Sequence, residues 1–307
     1  ITGWQFALIC AVYGLSVLAD TAGWRATLAR GARPSWPRLF LTKCAGDAVN
    51  VLTALGALGG EATKAWLLRR EIPYATTVPS LLVTKTSLVL AQALLLAVGI
   101  ALAWSTGTGS ATLVGAMGGL LLVEVIGIGG FVLVQVTGVL GRAGRLFGWA
   151  GGGGLHAAQQ LDRSLRDFYR REWRSFLRSA ALHFAGWMVG AVEAFLVLQS
   201  LGVPASLTTA TVVEALGSGV RFATFFVPAN LGTLEGANAA AFTAFGWTAT
   251  AGLAFSLVRR ARQGVWIAIG LVILVAMDGS RLLGRGLERD AARVAPGGVP
   301  RAIPTRG

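Results

Sequence analysis

Long apolar segments alternate with short polar ones along almost the whole chain. Mostly apolar runs of about 20 residues are long enough to cross the hydrocarbon core of a bilayer as helices. Such spans are predicted at 4–22, 75–104, 111–138, 179–201 and 248–281. Two further stretches, 39–70 and 206–246, are interrupted by glycine, proline and charged residues. Each of them is predicted to be a pair of half-helices rather than a single span.

The stretch VPANLGTLEG explains why a continuous helix is not expected in 206–246. Pro228 lacks a backbone donor, and Gly232 and Gly236 weaken a helix on either side of the break. Within a bilayer such a break survives only where it is buried in protein or lines a wet cavity. Basic residues flank 39–70 at both ends but do not flank 206–246. The first pair is therefore predicted to be re-entrant from the cytoplasmic side and the second from outside.

The two interrupted stretches align without a gap over a short distance, although chance similarity is left open. The matched residues are Glu61 with Glu235, Lys64 with Asn238 and Lys85 with Arg259. Each half is predicted to consist of a span, a re-entrant pair and a second span. The two halves are predicted to have opposite orientations in the membrane, and the span 111–138 connects them. Such an inverted repeat is typical of transporters whose substrate site lies near the bilayer midplane.

The predicted fold class is an all-α polytopic integral membrane protein with about six full spans and two re-entrant half-helix pairs in an inverted repeat. Between the halves, apolar residues at helical spacing from Leu161 to Leu177 lie among arginines, which predicts an amphipathic helix on anionic lipid at the cytoplasmic face. The predicted domains are an N-terminal membrane half (1–138), a glycine-rich linker with the basic helix (139–178), a C-terminal membrane half (179–283) and a basic tail (284–307).

Composition supports the membrane class. Of the 307 residues 54% are hydrophobic and 13% are charged, and the formal net charge is +13. In a soluble protein that charge would suggest nucleic acid, but here the arginines cluster between apolar spans, as the positive-inside rule predicts. Cys10 and Cys44 lie in apolar segments and do not suggest a disulfide framework. His156 and His183 are the only histidines, so neither a metal site nor a cofactor is predicted.

Candidate binding chemistry is concentrated in the last span. Arg259, Arg260 and Arg262 would lie roughly 15 to 20 Å from its external end, close to mid-membrane. Arginines at that depth are costly unless they face a cavity and meet anionic partners. Their candidate internal partners are Glu193, Glu214 and Glu235. Guanidinium groups suit bidentate contact with a lipid headgroup phosphate. The alternative is two short elements, 247–258 and 264–278, joined by a cytoplasmic loop that contains the arginines.

Two sets of polar residues are predicted to bind the substrate. The inner-facing vestibule is assigned Asp47, Asn50, Glu61, Lys64 and Lys85. The outer-facing vestibule is assigned Arg221, Asn230, Glu235, Asn238, Arg259 and Arg260, and Arg262 belongs to the same substrate-binding set.

Simpler interpretations stay open for several of these residues. Glu61 and Lys64 can pair only for packing, and Lys85 can extend toward the cytoplasmic interface. Asp20 is predicted to be interfacial. Glu124, near the middle of its span, can pair with Lys85 or stay protonated.

Two segments resemble the signatures of a known family. They are GDAVNVLTALGALGGEATKAWLL, and FVPANLGTLEGANAAAFTAFG followed by FSLVRRARQGVW. Both resemble the lysylphosphatidylglycerol synthase transmembrane (flippase-like) family, and the resemblance extends from Gly3 to Leu283. The arginine run is similar to the hopanoid-associated branch. The resemblance implies movement of lipid between leaflets. The sequence ends near residue 307, without the soluble aminoacyl-transferring domain, so lysine transfer is not implied.

The expected function is that of a non-enzymatic lipid transporter in a bacterial cytoplasmic membrane, acting on an anionic, polyprenyl- or hopanoid-type lipid. Its expected partners are membrane lipids with a phosphate-bearing headgroup and not nucleic acid. Self-association and association with lipid-synthesis proteins are left open. The alternatives are an integral-membrane enzyme acting on a lipid-phosphate headgroup, a small-anion channel and a scaffold of a lipid-synthesis complex. Product formation from a labelled lipid phosphate, or anion flux without lipid movement, would distinguish them.

Overall fold

The computed structural model describes residues 1–53, 58–107, 109–138 and 152–294, and for residues 30, 152–155 and 279–294 it describes the backbone alone. These ranges contain ten α-helices and no strand, which confirms the all-α prediction. The helices are α1 (Gly3–Thr27), α2 (Trp36–Leu52), α3 (Leu58–Leu68), α4 (Tyr74–Thr106), α5 (Ala111–Thr137), α6 (Gly152–Arg171), α7 (Trp173–Ser200), α8 (Leu207–Ala223), α9 (Thr233–Ala244) and α10 (Ala249–Val294).

Five of the described helices are long and apolar enough to cross a membrane. They are α1, α4, α5, α7 and the Ala249–Asp278 part of α10. The polytopic membrane class is thus confirmed, with five such helices where about six were expected. Because α10 continues unbroken through Arg259, Arg260 and Arg262, the alternative that placed these arginines in a loop is wrong.

The two interrupted stretches form pairs of short helices, α2 with α3 and α8 with α9. Between α8 and α9 the chain leaves the α-helical path, making a short 3-10 turn at Pro228–Asn230 before Gly232, whose φ is 81°. The predicted break in VPANLGTLEG is therefore confirmed. In the first pair, residues 54–57 of the predicted ALGALGG break lie outside the described residues. The side from which each pair enters the membrane stays a prediction.

The long helices bring the two halves together in a reciprocal way. α1 packs against α7, α2 packs against α10, and α8 packs against α4. Both of the last two contacts use a glycine: a Cβ on Gly270 of α10 would collide with the Cys44 backbone of α2, and one on Gly99 of α4 would collide with Ala215 of α8. Small residues allow such close approach of helix backbones in membranes. This reciprocity is what an internal repeat would produce.

The basic amphipathic helix begins and ends earlier in the chain than predicted. α6 ends at Arg171, and Trp173 starts the spanning helix α7. α6 is anchored by the fully buried Leu165 and by Tyr169, whose hydroxyl donates to Gln135 Oε1 of α5 at 3.0 Å. Of the predicted glycine-rich linker, residues 139–151 lie outside the described residues, and so do residues 295–307 of the basic tail.

Candidate functional site

A cavity with a volume of 490 Å³ lies among the helices of both halves. Its wall is formed by residues of α1, α2, α4, α7, α8, α9 and α10 and by the segment 224–232. Cavities of this size hold small ligands or a headgroup, not an entire membrane lipid.

Most of the predicted substrate-binding residues lie in this wall. Ten of the twelve line the cavity: Asp47, Asn50, Lys85, Arg221, Asn230, Glu235, Asn238, Arg259, Arg260 and Arg262. Glu61 and Lys64 do not line it but pair with residues that do. The two predicted vestibules are therefore parts of one cavity, and their role in binding a substrate stays a prediction.

The first group of charges, the lysine cluster, consists of Lys43, Lys64 and Lys85 with Asp20, Asp47 and Glu61. Lys43 pairs with Asp47 and lies 3.5 Å from Asp20. Lys64 Nζ lies 2.8 Å from Asp47 and 3.1 Å from Glu61, and Lys85 Nζ lies 2.9 Å from the same glutamate. Every member of the cluster thus has an oppositely charged neighbour.

Glycines in α2 and α3 make this cluster possible. Gly60 N–H donates to Asn50 Oδ1 at 2.7 Å, and a Cβ on Gly60 would collide with the Gly46 carbonyl. A Cβ on Gly46 would in turn collide with the Lys64 side chain. The close approach of α2 to α3 requires glycine at both positions, and it carries Lys64 to the α2 carboxylate.

The second group, the arginine cluster, consists of Arg221, Arg259 and Arg262 with Glu193 and Glu214. Glu214 accepts from Arg221 at 2.8 Å and also from Arg259. Glu193 accepts from Arg262 at 2.7 Å and lies 3.7 Å from Arg259 Nε. The two glutamates are 0% and 1% exposed. Buried carboxylates of this kind persist because each is held by more than one cation.

Arg260 differs from its neighbours because protein groups occupy its donors. Its guanidinium donates to Glu235 Oε1 at 2.8 Å, to the Ala229 carbonyl at 2.6 Å and to the Asn230 carbonyl at 3.0 Å. Ala229 and Asn230 both have φ of 50°, a backbone conformation that non-glycine residues rarely adopt. The geometry fits Arg260 to hold the segment 224–232 in place, whereas the sequence had suggested contact with substrate.

Several residues that line the cavity were not predicted from the sequence. Asp20 was expected to be interfacial, but it lies in the cavity wall and binds His183 Nδ1 at 2.8 Å. Tyr13 and Trp187 also line the cavity, where their rings lie 3.8 Å from Arg262 Cζ and 5.2 Å from Arg221 Cζ. Asp20 and His183 are 163 positions apart, so local sequence patterns carry no sign of their contact.

The contacts decide between Glu61 and Glu124 as the partner of Lys85. Lys85 pairs with Glu61 and not with Glu124. Glu124 is fully buried, and its carboxyl oxygens have no hydrogen-bond partner among the described residues.

Asn238, which aligns with Lys64, donates to Ser256 Oγ at 2.8 Å. Within the described ranges no three His, Cys, Asp or Glu side chains converge as a metal site would require. The cavity wall contains guanidinium, ammonium, amide, indole and hydroxyl groups together with carboxylates that are paired with cations.

A family model described as the lysylphosphatidylglycerol synthase TM region matches residues 1–270. The chain belongs to this family. The matched lysylphosphatidylglycerol synthase TM region includes every residue that lines the cavity. No curated protein and no solved structure matches the chain. Membership of the hopanoid-associated branch stays a prediction.

Proposed function

We propose that this protein is a transporter that moves an anionic, polyprenyl- or hopanoid-type lipid between the leaflets of a bacterial cytoplasmic membrane. The observation that carries the proposal is a cavity lined by arginines and lysines inside a bundle of membrane-spanning helices. Charged residues at that depth mark substrate pathways in membrane proteins. Membership in a lipid-related membrane family supports the same class of substrate.

The arginine cluster would bind the headgroup phosphate. Glu193 and Glu214 form ion pairs with the three guanidiniums of the cluster. A phosphate that enters can take over some of these contacts, because its oxygens accept the paired N–H donors of a guanidinium as a carboxylate does. Exchange of one set of ion pairs for another keeps the buried charges compensated during binding. The carboxylates set free in this exchange are candidates for coupling protons.

The acyl or isoprenoid chains would remain in the bilayer. Phe225 and Phe226 line the cavity and yet are 73% and 70% exposed, so the wall at segment 224–232 is thin and apolar on its outer surface. A lipid can place its headgroup inside and its chains outside across such a wall. Movement of this segment relative to α2, which it contacts at the 3-10 turn, would open the cavity.

Transport rather than synthesis is the role we infer for this membrane region. Arginines can bind a phosphate but are not nucleophiles, and the carboxylates beside them are paired with cations. These groups suit binding and release of a lipid, which require no covalent bond to be made or broken.

The test is movement of a fluorescent phospholipid between leaflets of proteoliposomes that contain the purified protein. We expect movement above that in protein-free liposomes, and a loss of roughly tenfold or more in Arg259→Gln because a charged hydrogen bond to the headgroup is lost. Arg178→Gln, at an exposed position, is the matched control and should retain the wild-type rate. Absence of movement, or an Arg259→Gln rate equal to that of the control, would contradict the proposal.

A further inference from the structure

The two charge clusters differ in their balance. The lysine cluster contains three cations and three carboxylates, all linked by the pairs described above. The arginine cluster contains three cations, Arg221, Arg259 and Arg262, but only the two carboxylates Glu193 and Glu214. Arg260 and Glu235 form a separate balanced pair. Among the described residues the excess positive charge of the cavity is therefore one, and it belongs to the arginine cluster.

Orphaned donors lie at the same place. Arg262 Nε and Trp187 Nε1 are buried without a hydrogen-bond partner in the described part of the chain, and both residues line the cavity. Glu193 Oε1 is the one acceptor of the cluster that is also buried without a hydrogen-bond partner among the described residues, so unpaired donors outnumber unpaired acceptors there. Buried N–H groups are nearly always paired in folded proteins, and this surplus of donors favours an added acceptor. Trp187 also stacks against Arg221, which places the indole donor beside one of the excess guanidiniums.

The remaining cations of the cavity are poorer receptors. Arg260 donates hydrogen bonds to Glu235 and to the carbonyls of Ala229 and Asn230. The lysine cluster is electrically neutral, so an anion placed there would have to compete with Asp47 and Glu61 and would leave an excess of negative charge.

We propose that the arginine cluster is the receptor for a headgroup with one net negative charge, that is, a phosphodiester without a compensating amine. This inference rests on the proposed function and specifies its substrate class. One such charge makes the cluster neutral. A doubly charged phosphomonoester would add more negative charge than the cluster can compensate, and a zwitterionic headgroup would bring an ammonium group that keeps the excess positive charge at one.

The experiment compares three fluorescent lipids with the same chains in proteoliposomes: phosphatidylglycerol, phosphatidylcholine and phosphatidic acid. We expect the wild-type protein to move phosphatidylglycerol fastest, by roughly tenfold over the other two. Glu193→Gln raises the excess to two and should shift the preference toward phosphatidic acid. Arg221→Gln removes the excess and should shift it toward phosphatidylcholine. Arg221 is 27% exposed, so this second substitution tests the proposal even where the buried Glu193 variant does not fold.

Two comparisons locate the effect. Glu61→Gln makes the same chemical change in the lysine cluster and should leave the ratios among the three lipids as in the wild type, whatever it does to the absolute rates. A soluble phosphodiester, glycerophosphoglycerol, trapped in the same vesicles should be retained. Its release would show that a free anion and not a lipid is the ligand.

The possible failures are distinguishable. If the wild-type protein moves none of the lipids, the proposed function itself is wrong. If it moves lipids but Arg221→Gln and Glu193→Gln leave the headgroup ratios unchanged, transport stands and the charge-matching inference is overturned. A ratio shift in Glu61→Gln as large as that in Glu193→Gln would place the receptor elsewhere in the cavity.

Discussion

At the scale of single residues, Glu214 has the most demanding position in the cavity. Its carboxylate is 1% exposed and accepts hydrogen bonds from two guanidiniums, Arg221 and Arg259, that approach from different helices. Removal of one partner from a buried ion pair leaves the other charges uncompensated, and that cost usually exceeds the net worth of the pair. Glu214 therefore joins α8 to α10 as well as pairing with two guanidiniums of the cavity.

The substitution Glu214→Gln should destabilise the protein by about 3 kcal/mol, because it leaves Arg221 and Arg259 without their shared counter-charge. Thermal unfolding in detergent, followed by tryptophan fluorescence, measures the change. Glu71→Gln is the matched control, since Glu71 pairs with Arg38 at the surface and such pairs contribute little. Equal melting temperatures for the two variants would show that Glu214 is not a structural link.

Some of these positions were readable from the sequence and others were not. Arg259 and Arg262 lie in an apolar run of the sequence. Because burying a charge in a membrane is costly, that run alone predicts a cavity and acidic partners. Asp20 and Lys43 gave no such signal, because an acid near the end of one span and a lysine near the start of the next half-helix are equally typical of interfaces. Their contact depends on how α1 packs against α2 and α7, which no local pattern specifies.

At the scale of elements, Arg260 connects segment 224–232 to α10. Arg260, which directly follows Arg259 in α10, donates to the carbonyls of Ala229 and Asn230 at 2.6 and 3.0 Å. Those two residues have positive φ, so the turn stores strain that the guanidinium contacts offset. The sequence predicted where the helix breaks, because proline and glycine have local effects. It did not predict that Arg260 belongs to the break, because that contact spans about 30 positions.

Arg260→Ala should loosen this segment and raise amide hydrogen exchange in residues 224–232, because the carbonyl contacts are lost. Arg260→Lys should give an intermediate increase, since a lysine keeps the charge near Glu235 but cannot reproduce the forked geometry. Hydrogen exchange followed by mass spectrometry in nanodiscs measures both variants, with Arg178→Ala as the control. Unchanged exchange in Arg260→Ala would mean that Arg260 does not hold the segment.

At the scale of the whole molecule, the reciprocal packing of α2 on α10 and α8 on α4 gives the internal repeat a structural counterpart. The sequence similarity between the halves was short, and the packing extends it to entire helices. The inverted repeat also predicts that the two short helix pairs open to opposite sides of the membrane. Opposite orientations would place one entrance to the cavity on each side, which alternating access requires.

Single cysteines at matched positions decide the orientation. Ala62→Cys and Gly236→Cys each follow an aligned glutamate, and both positions are exposed. In a background without Cys10 and Cys44, we expect an impermeant thiol reagent to label position 62 from the cytoplasmic side and position 236 from outside. Labelling of both from the same side would show that the repeat is not inverted.

The two clusters also bear on how the protein reaches its membrane. Every ion pair of the lysine cluster joins residues between Asp20 and Lys85, and every ion pair of the arginine cluster joins residues between Glu193 and Arg262. Among the described residues, the pair of Asp20 with His183 crosses from one half to the other. Since the first half supplies its own counter-charges, its lysines need not wait uncompensated in lipid until the second half has been translated. The first half can therefore be inserted as an electrically self-sufficient unit while the rest of the chain is still being synthesised.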